Sequence, residues 1–156
     1  MNEGTASFAV FRLMHRAMLI GQVLFLGVLF FVIYQKLISP PLAAQDKLIQ
    51  VIAVLVSATA LYMGHTIFKK KLIELKESKE YSSAREKFEG YRTVTIILWA
   101  FIEGAALFCG ICFFLVGNYV FLVLGTSLVL LFIWYNPSKK RMSLQTGLSV
   151  EEIEEM

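Results

Sequence analysis

Glu103 is the residue whose type and position in this sequence most clearly suggest chemistry. From Thr93 to Pro137 it is the only Asp, Glu, Lys, Arg or His. A charged acid in the middle of a membrane-spanning helix costs about 2.5–3.5 kcal/mol on insertion scales, so such a residue is expected to face other helices and to have a polar partner. Two interpretations stay open. Glu103 binds a proton, a cation or a polar substrate, or it makes a hydrogen bond between helices that fixes their packing.

Helical spacing and depth suggest partners for Glu103. At about 100° per residue, Ala106 and Gly110 share its face, and small residues four apart allow another helix to come close. We therefore expect Glu103 to point into a seam between helices. Counted along helices that rise about 1.5 Å per residue, the candidate partners for binding an ion or a proton are Gln22, Thr59, Tyr62 and, nearer the end of its helix, His65.

Two further groups of residues could suggest a metal or redox site. His15 and His65 lie on different helices, and together with one deep carboxylate they are a poor match to known zinc sites. We expect both to bond a backbone carbonyl or a lipid headgroup. Cys109 and Cys112 have the CxxC spacing but lie inside an apolar helix, not at a helix N-terminus where the dipole activates a thiol. We expect buried, inert thiols and no metal site.

Motifs typical of enzymes are missing from the sequence. It contains no phosphate-binding glycine loop, no nucleophile elbow and no zinc-protease helix motif. It also lacks a pair of membrane carboxylates that could carry out acid–base hydrolysis. We therefore expect the protein not to be an enzyme and to need no cofactor.

Four long uncharged runs must position these residues. The composition is 57% hydrophobic and 17% charged, whereas soluble domains carry about 25% charged residues. A helix needs roughly 20 apolar residues to cross the hydrocarbon core of a membrane. We predict an all-α, membrane-embedded four-helix bundle in residues 1–138, antiparallel because the connections are short, and a polar tail in residues 139–156. The predicted spans are residues 17–37, 48–68, 93–117 and 119–135.

The basic residues predict the orientation of these spans. All of the 15 Lys and Arg residues except Lys36 and Lys47 lie on the side that holds both termini and the loop between spans two and three. The positive-inside rule places that side in the cytoplasm. The membrane thereby explains the net charge of +3, and no nucleic-acid partner is expected.

The loop of residues 69–92 is predicted to be helical and to extend spans two and three into the cytoplasm as a hairpin; a solvated charged loop is the alternative. Ser83 and Glu86 have the spacing of a capping box, which starts a helix. Opposite charges stand four residues apart in the pairs Lys70–Glu74, Lys76–Glu80 and Arg85–Glu89. The basic residues expected to contact anionic lipid or a partner are Lys69, Lys70, Lys71, Arg85 and Arg92.

The tail of residues 139–156 is polar and ends in an acidic run. Ser149 and Glu152 have the spacing of another cap. Because chain ends with few apolar residues are commonly poorly ordered, we expect a frayed acidic end.

Part of the sequence resembles a group of small membrane proteins. Within residues 69–120, the segments Tyr91-Arg92-Thr93, Glu103 to Phe108 and Gly117-Asn118 resemble uncharacterised four-span proteins of Bacteroidota-type bacteria. This resemblance implies a multi-pass protein of the bacterial inner membrane. Because the similar proteins have no known activity, it indicates nothing about what the protein does.

A second resemblance is to the rotor-ring proteolipid of rotary ATPases. That family has two helices joined by a polar cytoplasmic loop, with a carboxylate within the membrane in the second helix. Span two, Arg85 and Glu103 can be aligned with this plan. However, Gly64 is the only glycine of span two, whereas proteolipid helices pack through a stripe of glycines, so a ring rotor is not expected.

These patterns predict a non-enzymatic membrane protein. We expect it to be an oligomer or a subunit of a membrane complex, surrounded by the lipid bilayer and bound to itself or to another membrane subunit. The alternative is a small proton- or cation-linked transporter or channel subunit in which Glu103 binds the ion.

Overall fold

The computed structural model describes residues 3–77 and 83–154. The structure is 87% helical, and its described residues contain no strand, so the all-helical prediction is confirmed. The helices are α1 (Glu3–Tyr34), α2 (Asp46–Glu77), α3 (Ala84–Val116), α4 (Tyr119–Trp134), α5 (Lys139–Thr146) and α6 (Val150–Glu154), with a short 3-10 turn at Ala43–Gln45 before α2.

Three of these helices are long and apolar enough to cross a membrane, namely α1, α2 and α3. The fourth apolar run, α4, has 16 residues. It is followed by α5 after a bend of 76°, and the pair would make a fourth crossing if it counts as one broken span. The helices also continue beyond the predicted spans, since α2 and α3 extend well into the charged region between them.

Helix α3 lies at the centre of the helix contacts. It packs against α1, α2 and α4, whereas α1 and α2 do not pack together within the part of the chain that the structure describes. Glycines permit two of these close approaches. A Cβ atom on Gly110 would lie 2.8 Å from Phe25 Cε1 of α1, and one on Gly64 of α2 would lie 3.0 Å from Phe101 Cβ. The expectation that Gly110 lets another helix come close is therefore confirmed.

One end of the structure carries most of the basic residues, where α1 and α3 begin and α2 and α4 end; we call it the basic end. There, side chains from other helices bond the last carbonyls of α4. Trp99 Nε1 donates to Tyr135 O at 3.2 Å, and Arg141 donates to Trp134 O at 2.8 Å. Since the last carbonyls of a helix have no partner within it, these bonds connect the end of α4 to α3 and α5.

The region of residues 69–92 is helical on both sides of residues 78–82, which lie outside the described part. Ser83 and Glu86 bond each other reciprocally, so the predicted capping box is confirmed. The residues Lys70–Glu74 and Arg85–Glu89 stand four apart on these helices, as predicted, but the ion pairs that the structure shows join residues three apart. The observed ion pairs are Lys71–Glu74 at 2.8 Å and Arg92–Glu89 at 3.5 Å. Glu80 of the predicted Lys76–Glu80 pair falls among the residues not described.

The tail folds against the basic end, contrary to the expected frayed end. Its apolar residues Met142, Leu148 and Ile153 are buried, and α5 and α6 contact α3. Ser149 and Glu152 cap α6 through two reciprocal bonds of 3.1 and 2.8 Å. The three apolar side chains belong to the same apolar cluster as buried residues of the larger helices.

Candidate polar site around Glu103

Glu103 lies in the middle of the apolar run of α3, and its side chain is half-buried. Trp99 and Gly110, on one side of it, contact α1. Ala100 and Gly104, on its other side, are exposed. Glu103 therefore stands at the edge of the contact between α1 and α3, and not inside the seam that the helical spacing predicted. Among the described residues it has no hydrogen-bond or ion-pair partner.

Gln22 of α1 is one of the buried polar residues of the helix interior. Its side chain is fully buried, at 0% exposure. Within the described part of the chain, neither its Nε2 nor its Oε1 has a hydrogen-bond partner. It lies two turns after His15 and one turn before Leu26, on the face of α1 that contacts α3 and α4. Leaving a buried polar group unpaired costs about 1–3 kcal/mol, so this carboxamide is an unusual feature of an otherwise apolar interior.

The other proposed partners lie on the outer side of α2. Thr59, Tyr62 and His65 are exposed, Tyr62 at 73%. The buried stripe of α2 instead includes Ser57 and Gly64, which face α3. The structure thus brings Gln22 to the interior but does not bring Thr59, Tyr62 and His65 together with it.

Ser57 is a polar interior residue that the sequence reasoning missed. Its Oγ lies 3.4 Å from Cys109 Sγ of α3, and both residues are buried. The signal that could have found it is the row of small residues Ala53, Ser57, Ala60 and Gly64, whose spacing of three or four follows one face of a helix. The expectation of buried thiols is confirmed, since Cys109 and Cys112 are both free and buried.

The histidines differ in their surroundings. His15 is buried and donates from Nε2 to Phe132 O at 3.1 Å, which confirms the expectation that it bonds a backbone carbonyl. Its ring stacks on Phe132 at 4.6 Å and lies 4.8 Å from the ring of Trp99. His65 is exposed on α2. The described residues contain no cluster of three or more His, Cys, Asp or Glu that could hold a metal ion.

The predicted basic surface is exposed to different degrees. Lys69, Lys70, Lys71 and Arg85 are exposed, whereas Arg92 is half-buried and pairs with Glu89. On α1, Arg12 and Arg16 are also exposed. The guanidinium of Arg12 lies over the Phe8 ring, 5.4 Å from its centre. Arginine and lysine from several helices therefore surround the basic end.

No protein-family model, curated protein or solved structure matches this chain. The residues themselves therefore carry the functional interpretation. Among the described residues, they offer the Glu103 carboxyl group within the apolar run of α3 and the buried carboxamide of Gln22, both without a hydrogen-bond partner, together with a basic rim. Such groups can bind a proton, a hydrogen-bonding helix or an anionic headgroup.

Proposed function

We propose that this chain is a non-enzymatic integral membrane protein that acts as an oligomer or as a subunit of a membrane complex. The observation that carries the proposal is the half-buried position of Glu103 on α3, without an internal partner among the described residues. An acid in the hydrocarbon core is costly unless it is paired. Since no described residue of this chain pairs with Glu103, a helix from another subunit is the natural source of a partner.

The small buried fraction of the outer helices α1 and α2 supports the same proposal. In their most apolar windows, only 11% of α1 and 22% of α2 is buried within the chain, against 50% of α3. Much of their apolar surface therefore faces lipid or other subunits. Without a hydrophobic force between helices in lipid, close packing and hydrogen bonds drive association. Glu103 supplies the hydrogen-bonding group on the exposed side of α3.

We further propose four antiparallel spans in the bacterial inner membrane, with the basic end in the cytoplasm and both termini there. The positive-inside rule supports this orientation, since the basic residues lie at one end. Exposed Lys69, Lys70 and Arg85 would then lie near the cytoplasmic headgroups. Each such residue near an anionic surface contributes about 1 kcal/mol of attraction.

The test is the size of the particle that contains the protein in its own membrane. Cells expressing a tagged chain are solubilised in mild detergent, and the particle is sized on native gels. We expect a particle clearly larger than the 17.7 kDa chain. Glu103→Leu should reduce it, while Glu103→Gln, which keeps both a donor and an acceptor, should preserve it. Thr59→Leu, an exposed polar position on α2, is the control. A single chain in every condition would contradict the proposal.

A second candidate function is supported by Gln22. In this alternative the chain is a small proton- or cation-linked transporter or channel subunit, with Glu103 as the ion-binding group. The unpaired, fully buried carboxamide of Gln22 favours it, because a polar guest would satisfy both of its side-chain atoms. Proteoliposomes containing a pH-sensitive dye would report a flux. A flux that Glu103→Gln leaves intact would rule out this form of the alternative.

A further inference from the structure

A groove between α1 and α4 measures about 250 Å³. Its lining includes Val23, Gly27 and Phe30 of α1 and Leu122 and Thr126 of α4. Gly27 leaves room in it, since a Cβ atom added there would meet nothing within 4 Å. Pockets that enclose drug-sized ligands measure about 300–1,000 Å³, so this smaller and mainly apolar groove suits a slender hydrocarbon chain.

The lining of the groove favours lipid over another helix. Helices that associate in membranes bring together several small residues or hydrogen-bonding side chains. Among the described residues that line this groove, Gly27 is the only small one and Thr126 the only polar one. Only 11% of the most apolar window of α1 is buried within the chain. The α1 side of the groove therefore belongs to a surface that faces hydrocarbon.

Arg16 lies on the same face of α1 as the groove. It precedes Val23 by seven residues, as Val23 precedes Phe30, and seven residues are close to two turns of a helix. The side chain of Arg16 is exposed, and it has no ion pair within the part of the chain that the structure describes. Arg12, one turn earlier, is exposed as well. The apolar groove therefore leads along one helix face to positive charge.

The depth of Arg16 matches that of a lipid headgroup. His15, the residue before it, bonds Phe132 O at 3.1 Å, so Arg16 lies beside the last turn of α4, where Trp134 is 73% exposed. Tryptophan is enriched at the membrane–water interface. At about 1.5 Å per residue, the groove begins at Val23, roughly 10 Å further along α1, while half of the hydrocarbon core is about 15 Å thick. A lipid with its phosphate at Arg16 thus has the end of its chain in the groove.

From these observations we infer that the groove between α1 and α4 binds an anionic phospholipid from the leaflet at the basic end. One acyl chain lies along Val23, Gly27 and Thr126, and the phosphate bonds Arg16. A guanidinium can donate two parallel hydrogen bonds to a phosphate. Arg16 and Arg12 favour an anionic headgroup over a zwitterionic one, whose cationic group they would repel. The inference goes beyond the proposed function, because it involves neither Glu103 nor an oligomer.

The first experiment measures lipid binding to the whole protein in detergent. Phosphatidylglycerol or phosphatidylcholine with the same chains is titrated in, and native mass spectrometry counts the bound molecules. We expect one phosphatidylglycerol to bind more tightly than phosphatidylcholine. Arg16→Gln should weaken its binding about 5-fold, the effect of one basic residue at an anionic group, and Arg16→Lys should retain most of it. Lys69→Gln, at an exposed basic position on α2, is the matched control. Equal losses in Arg16→Gln and Lys69→Gln would contradict a specific site.

A substitution in the groove tests the part played by the acyl chain. Gly27→Leu should fill the groove and weaken the binding of both lipids by the same factor, because it acts on the chain and not on the headgroup. Gly21→Leu is the control, since Gly21 is also exposed with nothing within 4 Å of its Cβ position but is not part of the groove lining. Unchanged binding in Gly27→Leu would overturn the inference.

The second experiment uses the unmodified chain, so it does not depend on how any variant folds. The protein is reconstituted with phosphatidylglycerol that carries a photoactivatable group near the end of one chain, and labelled peptides are identified. Adducts should concentrate in residues 23–30 and 122–129, in excess of residues 55–62 of α2, a segment with exposed side chains near the middle of that helix. Equal labelling of the α2 segment would overturn the inference. So would an unlabelled groove together with a covalent dimer of Gly27→Cys, because a second copy would then cover it.

Discussion

His15 of α1 and Phe132 of α4 are joined twice, by a hydrogen bond from Nε2 to the backbone oxygen at 3.1 Å and by ring stacking at 4.6 Å. The ring of Trp99 is tilted against the same imidazole at 4.8 Å and lies 6.0 Å from the ring of Phe132. A histidine just before the first predicted span thus connects α1 to the end of α4 and to α3. Its role in this structure is packing at the basic end.

Replacing His15 by Ala should therefore destabilise the fold. The change leaves a buried carbonyl with one bond fewer and removes two ring contacts, for an expected loss of about 2–4 kcal/mol. Unfolding of the purified protein in mixed micelles, followed by circular dichroism, measures it. His65→Ala is the matched control, since His65 is exposed on α2, and it should change stability by less than about 0.5 kcal/mol. Equal effects of the two variants would show that the His15 contacts contribute little.

Gly110 should tolerate no side chain. A Cβ atom there would lie 2.8 Å from Phe25 Cε1 and 2.9 Å from Leu26 Cδ2, so Gly110→Ala should displace the ends of these two side chains and disturb the packing of α1 on α3. Overpacking of this kind costs about 1–3 kcal/mol. Gly21→Ala is the control, because nothing lies within 4 Å of its Cβ position. The same unfolding assay compares them, and a Gly110→Ala variant as stable as Gly21→Ala would contradict the described contact.

The folded tail predicts different effects for two apolar residues of α5. Met142 is fully buried against the larger helices, whereas Leu144 is 71% exposed. Met142→Asp should release α5 and α6 from the basic end, because a charge cannot stay in that contact unpaired. Leu144→Asp should leave them in place. Limited proteolysis of the protein in micelles distinguishes the two, and rapid cleavage of both variants or of neither would count against a docked tail.

The sequence predicted where the helices lie along the chain better than it predicted which face of each helix turns to the interior. Long uncharged runs and the Ser83–Glu86 cap are local features, so the helical segments followed from them. Which face of each helix turns inward depends on packing against other helices. Depth alone suggested Tyr62, which is exposed, whereas the small residue Ser57 is the one that reaches α3. The docking of Met142 likewise depends on a contact far along the chain, which no local pattern in the tail reveals.

Substitution of Gln22 is the most informative, because two interpretations of its side chain predict opposite changes in stability. An unpaired buried carboxamide destabilises the fold, whereas one that binds a polar partner stabilises it. Neither polar atom of this fully buried side chain has a partner among the described residues, so Gln22→Leu, which is similar in size and apolar, should stabilise the fold by about 1–3 kcal/mol. The unfolding assay in micelles measures this change, and Gln22→Glu, which would bury a charge, should destabilise the fold strongly. A loss of stability in Gln22→Leu would mean that the carboxamide is satisfied in the working protein by a polar guest or by Glu103. That result would favour the ion-linked alternative over a purely structural role.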